Sequence, residues 1–294
     1  MERHFGWVRN PVEVQAVMGR LARPLFFASA AGSYAGAIAE QSFLWKSAVQ
    51  VLGHTLPGRN QGQVGSCVSF GTASAIEHTM LTEIMAGQPE EFKDICQEEI
   101  YGGSRVEIGR NQISGDGSVG AWAAEFVTKY GVLARGVYDS LDLTKYSESR
   151  CKDWGRNGVP DLLEPECRKH PVKTASLVRD WDEAKKALSS GFGIAVSSDR
   201  GFTMTRDQDG FAKPSGEWGH CMALIGYQTG KREGGFILNS WGDDAHTGPS
   251  GAGDPPTAGF WADADVVNNM IKQGDSWSFS AVDGYPLRRI HWLI

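Results

Sequence analysis

Asn60–Phe70 reads NQGQVGSCVSF, a glycine-punctuated loop closing on a single cysteine, and the rest of the chain is read outward from it. From Cys67 to Ala86 the apolar residues Phe70, Ala73, Ile76, Met80 and Ile84 recur at three- or four-residue steps. That spacing predicts a buried amphipathic helix, with Gly87 and Pro89 as its stop signals. Ser66 is an acceptable N-cap, so Cys67 falls in the first turn. There the positive end of the helix dipole favours its thiolate, the nucleophilic form. A lone cysteine at a helix start is as readily an inert core residue. The decision rests on what lies further along the chain.

The composition is that of a globular protein, 294 residues with 41% hydrophobic and 22% charged, enough for one large unit or two lobes. A net charge of -6 and no basic patch argue against nucleic acid or an anionic membrane as main partner. Five cysteines are present, Cys67, Cys96, Cys151, Cys167 and Cys221, with no C-x-x-C pair. No structural metal and no cofactor is therefore expected. Cys151 and Cys167 flank a polar segment and read equally well as a local disulfide or as two reduced thiols. No run approaches the roughly 20 apolar residues of a membrane span. Leu25–Ala39 is apolar but starts late for a secretory leader, after Glu2 and Glu13. A cytoplasmic or host-cell cytoplasmic location is the expectation, with secretion left open.

Along the chain, residues 1–40 read as an N-terminal extension and 41–142 as a mainly helical lobe. Residues 143–171 read as a surface insertion and 172–294 as a mainly β lobe. The acidic stretch 88–100 reads as a solvated helix face. A G-x-G-x-x-G match at Gly115, Gly117 and Gly120 has no strand leading into it, so a dinucleotide site fails its context test. In the second half, Cys221–Tyr227 and Gly235–Leu238 are strand-like and joined by the turn Gln228–Gly234. The fold class expected is α+β, two lobes with a cleft between them.

Of seven histidines, His4, His54, His78, His170, His246 and His291 lie in terminal, loop or solvated-helix contexts and read as incidental. His220 differs, because it directly precedes an apolar strand, and Asn239 ends the next one. Adjacent strands would bring the two together at one end of a sheet. Acyl transfer by cysteine needs such parts: a thiolate, an imidazole to stabilise it and protonate the leaving amine, and a carboxamide to orient the imidazole.

With those residues in place a resemblance appears. QGQVGSCVSF resembles the active-site segment of papain-family, cathepsin-like cysteine proteases, which reads Q-G-x-x-G-S-C. GHCMALIGY is similar to the family's histidine strand and ILNSWG to its asparagine motif. GDGS, with the helix running to YGV, is similar to the Gly-rich wall of its substrate cleft. The likeness covers roughly residues 42–285, with the motifs in the family's order. It implies a helical lobe and an antiparallel β-barrel-like lobe, and a cysteine endopeptidase acting on peptide or protein substrates. It implies Cys67 as nucleophile, His220 as ion-pair partner and general acid/base, and Asn239 as its orienter. Gln61 would donate to the oxyanion beside the backbone N–H of Cys67. Trp241 would shield the His–Asn hydrogen bond. Gly65, Ser66, Gly117, Ser118 and Gly219 would line the substrate cleft.

Several positions depart from the pattern. Val64 stands where many members have a disulfide-forming Cys, which fits a reducing compartment or a microbial or viral branch. Val68 replaces an aromatic, Ser118 replaces a second Gly, and a Gly/Pro loop follows NSWG. Residues 1–40 lack the family's propeptide motif and read as an integral extension or partial cleft cover. Two other roles fit the same residues: a catalytically idle structural or binding component of a larger assembly, and a Cys–His amidase of cell-wall peptides.

Overall fold

The computed structural model describes residues 4–21, 26–27, 38–89 and 91–281. Most of the apolar Leu25–Ala39 piece and His291 lie outside the described residues. In chain order the helices are α1 (Pro11–Met18), α2 (Trp45–Leu52), α3 (Cys67–Met85), α4 (Gln97–Gly103), α5 (Gly120–Tyr130), α6 (Glu148–Asn157), α7 (Glu164–Cys167), α8 (Trp181–Ser189) and α9 (Ala264–Ile271). The strands are β1 (Gln41–Phe43), β2 (Val137–Tyr138), β3 (Leu141–Asp142), β4 (Thr174–Leu177), β5 (Ile194–Arg206), β6 (Ala212–Gln228), β7 (Gly234–Leu238), β8 (Gly259–Asp263) and β9 (Trp277–Ser280). Helices therefore dominate the first half and strands the second, a mixed α+β fold.

The main sheet runs β4-β9-β5-β6-β7-β8, all neighbours antiparallel, with β1 pairing on β6. β4 and β8 end this order, so the barrel-like closure expected of the β lobe is not found among the described residues. An antiparallel sheet with one face covered by helices can stay open.

α3 is the central rod. Cys67, Phe70, Ala73, Ile76, Glu77, His78 and Leu81 are all buried, so the expected single stripe is in fact a helix enclosed on almost every face. Gly71 lets it press on β6, since a Cβ there would lie 2.7 Å from Cys221 Sγ. That close approach sets the start of α3 beside the strand carrying His220.

Segment 143–171, read as a surface insertion, is anchored to the helical side by a few buried residues. Leu143, Cys151, Trp154, Leu163 and Cys167 are buried against the helical side. Of the acidic stretch 88–100, Glu91 and Asp94 are solvated as expected, but residues 95–100 are buried, Glu98 and Glu99 fully so. Glu98 meets Arg135 at 2.8 Å and Arg150 at 2.7 Å. Burial pushes its carboxyl up, but Arg135 and the backbone N–H groups it accepts outweigh that and hold it below the ordinary carboxylate value. Glu99 lacks such a cation and burial pushes it up to about 8. All five cysteines are free thiols, Cys151 and Cys167 lying in separate apolar clusters, so the local disulfide is not formed.

Candidate active site

Ser66 holds the N-cap position of α3, although its side chain makes no capping bond and only its carbonyl receives Ser69 and Phe70 N–H. Cys67 follows, fully buried, and its Sγ accepts the backbone N–H of Cys221 at 3.4 Å. Cys221 is the neighbour of His220 on β6. β6 pairs with β7 with Ala223 opposite Leu238, which brings Asn239, just past the end of β7, to the same end of the sheet as His220. His220 Nε2 lies 2.9 Å from Asn239 Oδ1. The same oxygen accepts Ser240 N–H at 2.8 Å. A backbone N–H can only donate, so the atom facing it is the amide oxygen and His220 carries its proton on Nε2. His220 Nδ1 is buried with no hydrogen-bond partner among the described residues. Trp241 stacks on the His220 ring with centroids 4.6 Å apart and the planes 24° off parallel.

Gln61 is fully buried, and its Oε1 accepts Ser240 Oγ–H at 2.7 Å. Its Nε2 donates to Val64 O at 2.9 Å and to His4 O at 3.1 Å. The second partner belongs to the stretch 1–40, read from the sequence as an integral extension or partial cleft cover.

Residues 4–8 form a strap across the site. Gly6 and Trp7 N–H both donate to Gly219 O, at 2.9 and 2.8 Å. Ser118 N–H donates to Gly6 O at 2.7 Å, and Val8 N–H to Ser118 O at 2.9 Å, a parallel pairing. Gly65 and Gly117 make room, since a Cβ would sit 2.7 Å from Phe5 O at Gly65 and 2.8 Å from Gly6 O at Gly117. Phe5 packs against Trp218, His220 and Trp241. Trp7 is buried and its indole N–H donates to Asp275 Oδ2 at 2.8 Å. Thus Gly65, Gly117, Ser118, Gly219 and Trp241 meet at the strap, whereas among the described residues no hydrogen bond joins Ser66 to residues 4–8.

Sealing the site reverses the electrostatic expectation. Burial pushes the Cys67 thiol up to about 12, against the lowering effect of N–H groups from Cys221, Gly6, Val68 and Trp7. Burial pulls His220 down to about 4, with only the Asn239 bond opposing it. Loss of solvent disfavours both charged forms more than the helix terminus favours the thiolate. With the strap in place the pair is a neutral thiol and a neutral imidazole.

Residues 40–249 match the family model described as papain family cysteine protease. The chain belongs to that family. Papain-family members are cysteine peptidases, hydrolases of peptide bonds, and the chain is one of them. Among solved structures it is similar to xylellain, a cysteine protease from Xylella fastidiosa. That match has a TM-score of 0.62 and 16% identity, covering 96% of this chain and 99% of that one. It is also similar to digestive procathepsin L 3 of the Tenebrio molitor larval midgut, with a TM-score of 0.55 and 16% identity over 94% of this chain and 82% of that one. The third, proCathepsin B S9 from Trypanosoma congolense, has a TM-score of 0.55 and 11% identity over 97% and 83%. At these identities the likeness is one of fold. Comparison with curated protein sequences finds no match.

Two features of this papain-family site were not foreseen. Trp7 and Asp275 are 268 positions apart, and no local pattern ties them. His246, read as an incidental loop histidine, is buried with its Nε2 3.1 Å from Asn239 Nδ2. Among the described residues no His/Cys/Asp/Glu group could hold a metal, and no helix is long and apolar enough to cross a membrane.

Proposed function

We propose that Cys67 is the nucleophile of an endopeptidase, His220 its acid/base, Asn239 the orienter of His220, and Gln61 an oxyanion donor. One observation carries the reading. The sulfur accepts a hydrogen bond from the residue next to a histidine whose Nε2 is fixed on a carboxamide, leaving Nδ1 unpartnered among the described residues. In the open site His220 takes the thiol proton and the thiolate attacks the scissile carbonyl carbon. The resulting oxyanion is met by Gln61 Nε2–H and Cys67 N–H. Collapse breaks the C–N bond as His220 gives its proton to the leaving amine. The thioester is then hydrolysed by water that His220 deprotonates, returning the thiol. Neither metal nor cofactor enters this scheme, and the substrate is a peptide or protein.

The strap holds this machinery closed. Its Gly6 and Trp7 N–H groups donate to Gly219 O across the site and lie near enough to the sulfur to lower its pKa, which fits a cover. Cys67→Ala is the test, with an intact fold but no peptide hydrolysis and no labelling by a thiol-directed epoxide. Labelling at Cys96 or Cys221 instead overturns the assignment. The sealed thiol is the one observation favouring an idle, binding-only role. Peptides left uncut both by the full chain and by a strap-loosened Trp7→Ala variant would support that role.

A further inference from the structure

We propose that His246 is a positioning residue that holds the Asn239 carboxamide in its working orientation, extending the Cys67–His220–Asn239 set to a fourth member; this rests on the reading above. The Asn239 oxygen is pinned by Ser240 N–H and faces His220, so its NH2 group must point the other way, at His246 Nε2. An amide NH2 can only donate. His246 Nε2 is therefore an acceptor, and its imidazole is neutral with the proton on Nδ1. Each atom of the carboxamide then has a partner of the right kind, in a place where water is excluded.

The loop after NSWG is built to deliver this ring. Arg206, from the end of β5, spreads its guanidinium over the loop carbonyls. It donates to His246 O at 3.5 Å, Gly248 O at 2.7 Å, Thr257 O at 3.2 Å and Gly259 O at 2.9 Å. Thr247 N–H donates to Met204 O and Arg206 N–H to Thr247 O, lacing the loop to β5. The His246 ring rests on Phe260, centroids 4.7 Å apart. Buried, clamped and packed, it has little freedom to leave Asn239. Without its acceptor the Asn239 NH2 would be a buried donor with no partner, and rotation of the amide would relieve that at the expense of the bond to His220.

Two substitutions and one spectrum test this. His246→Phe keeps the packing on Phe260 and removes the acceptor. His246→Gln can place a side-chain oxygen near the position of Nε2. Measured on the full chain throughout, His246→Phe lowers kcat roughly tenfold or more with KM little changed, the size expected for a buried amide donor left unpaired. His246→Gln restores most of it. In an Asn239→Ala background His246→Phe has less than a twofold effect, because the amide it served is gone. In the wild-type chain, nitrogen-15 spectra of the imidazoles show His246 as the Nδ1–H tautomer, a readout that needs no variant to fold. An Nε2–H tautomer, an unchanged kcat in His246→Phe, or a loss that persists undiminished beside Asn239→Ala each overturns the proposal. If Cys67→Ala still cleaves peptides, the catalytic reading itself has failed, and the tautomer then stands as a separate result.

Discussion

Replacing Trp7 by phenylalanine removes one N–H and leaves most of the ring volume in place. In the closed form that N–H meets Asp275 Oδ2 at 2.8 Å. The Asp275 carboxylate also receives Gly120 N–H at 2.8 Å and the Trp277 indole at 2.7 Å, and it is itself buried. Hydrogen bonds to a charged group contribute about 1.5–3 kcal/mol. At about 1.4 kcal/mol per tenfold, losing this one raises the population of strap-open molecules by roughly ten- to hundredfold. Trp7→Ala goes further, because burying a large aromatic removes about 150–250 Å² from water. At about 25 cal/mol per Å² that is roughly 4–6 kcal/mol on top of the lost bond. The assay is the rate at which a small neutral thiol reagent modifies Cys67, with the site read by mass spectrometry. When opening is fast, that rate tracks the open fraction. Trp7→Phe labels Cys67 roughly ten- to hundredfold faster than wild type, and Trp7→Ala faster still, with Cys96 unaffected. Equal Cys67 labelling in all three proteins would refute the claim that the strap governs access.

Gln61→Ala lowers kcat by about a hundred- to thousandfold, the usual cost of one oxyanion donor, and steady-state kinetics should show the loss in kcat rather than KM. The same variant frees His4 O, so Cys67 labelling should rise while turnover falls, a divergence that simple misfolding would not give. Glu99→Gln tests the buried carboxyl on α4. Burial raises Glu99 in the folded state from 4.5 to about 8, so its contribution to stability is full below 4.5 and is lost as pH rises through 8. Gln cannot ionise, so the variant's denaturation midpoint should gain on wild type between pH 4.5 and 8 and level off above. Parallel curves across that range would show that Glu99 is not held protonated.

What sequence could show followed from how local each signal is. The helix from Cys67, the strands on either side of Gln228–Gly234 and the positions of His220 and Asn239 are all written in neighbouring residues. The structure brings these residues together through the β6–β7 register and the close approach at Gly71. A partial cleft cover within residues 1–40 is one of two readings the sequence allows. Residues 4–8 are not legible as its contacts, because they have no periodicity and their partners Gly65, Ser118, Gly219 and Asp275 lie far along the chain. Glu98 and Glu99 looked solvated because the cations that bury Glu98, Arg135 and Arg150, come from other segments. His246 sits in a Gly-rich loop where hydropathy carries no signal; only the fork of Arg206 reveals its place. The open sheet likewise depends on which strands end the order, which strand-by-strand patterns do not specify.

Because Cys67 is fully buried, with residues 4–8 against its sulfur, the resting molecule keeps this thiol out of reach of peroxide and of electrophilic drugs alike. A reactivity survey of thiols would score this chain as inert, and a covalent fragment library would pass over it. The same chain would become sensitive to both within the moments its cover is lifted. Chemical vulnerability here is thus a property of timing rather than of composition, and inhibitors would be better sought against the uncovered form than against the one at rest.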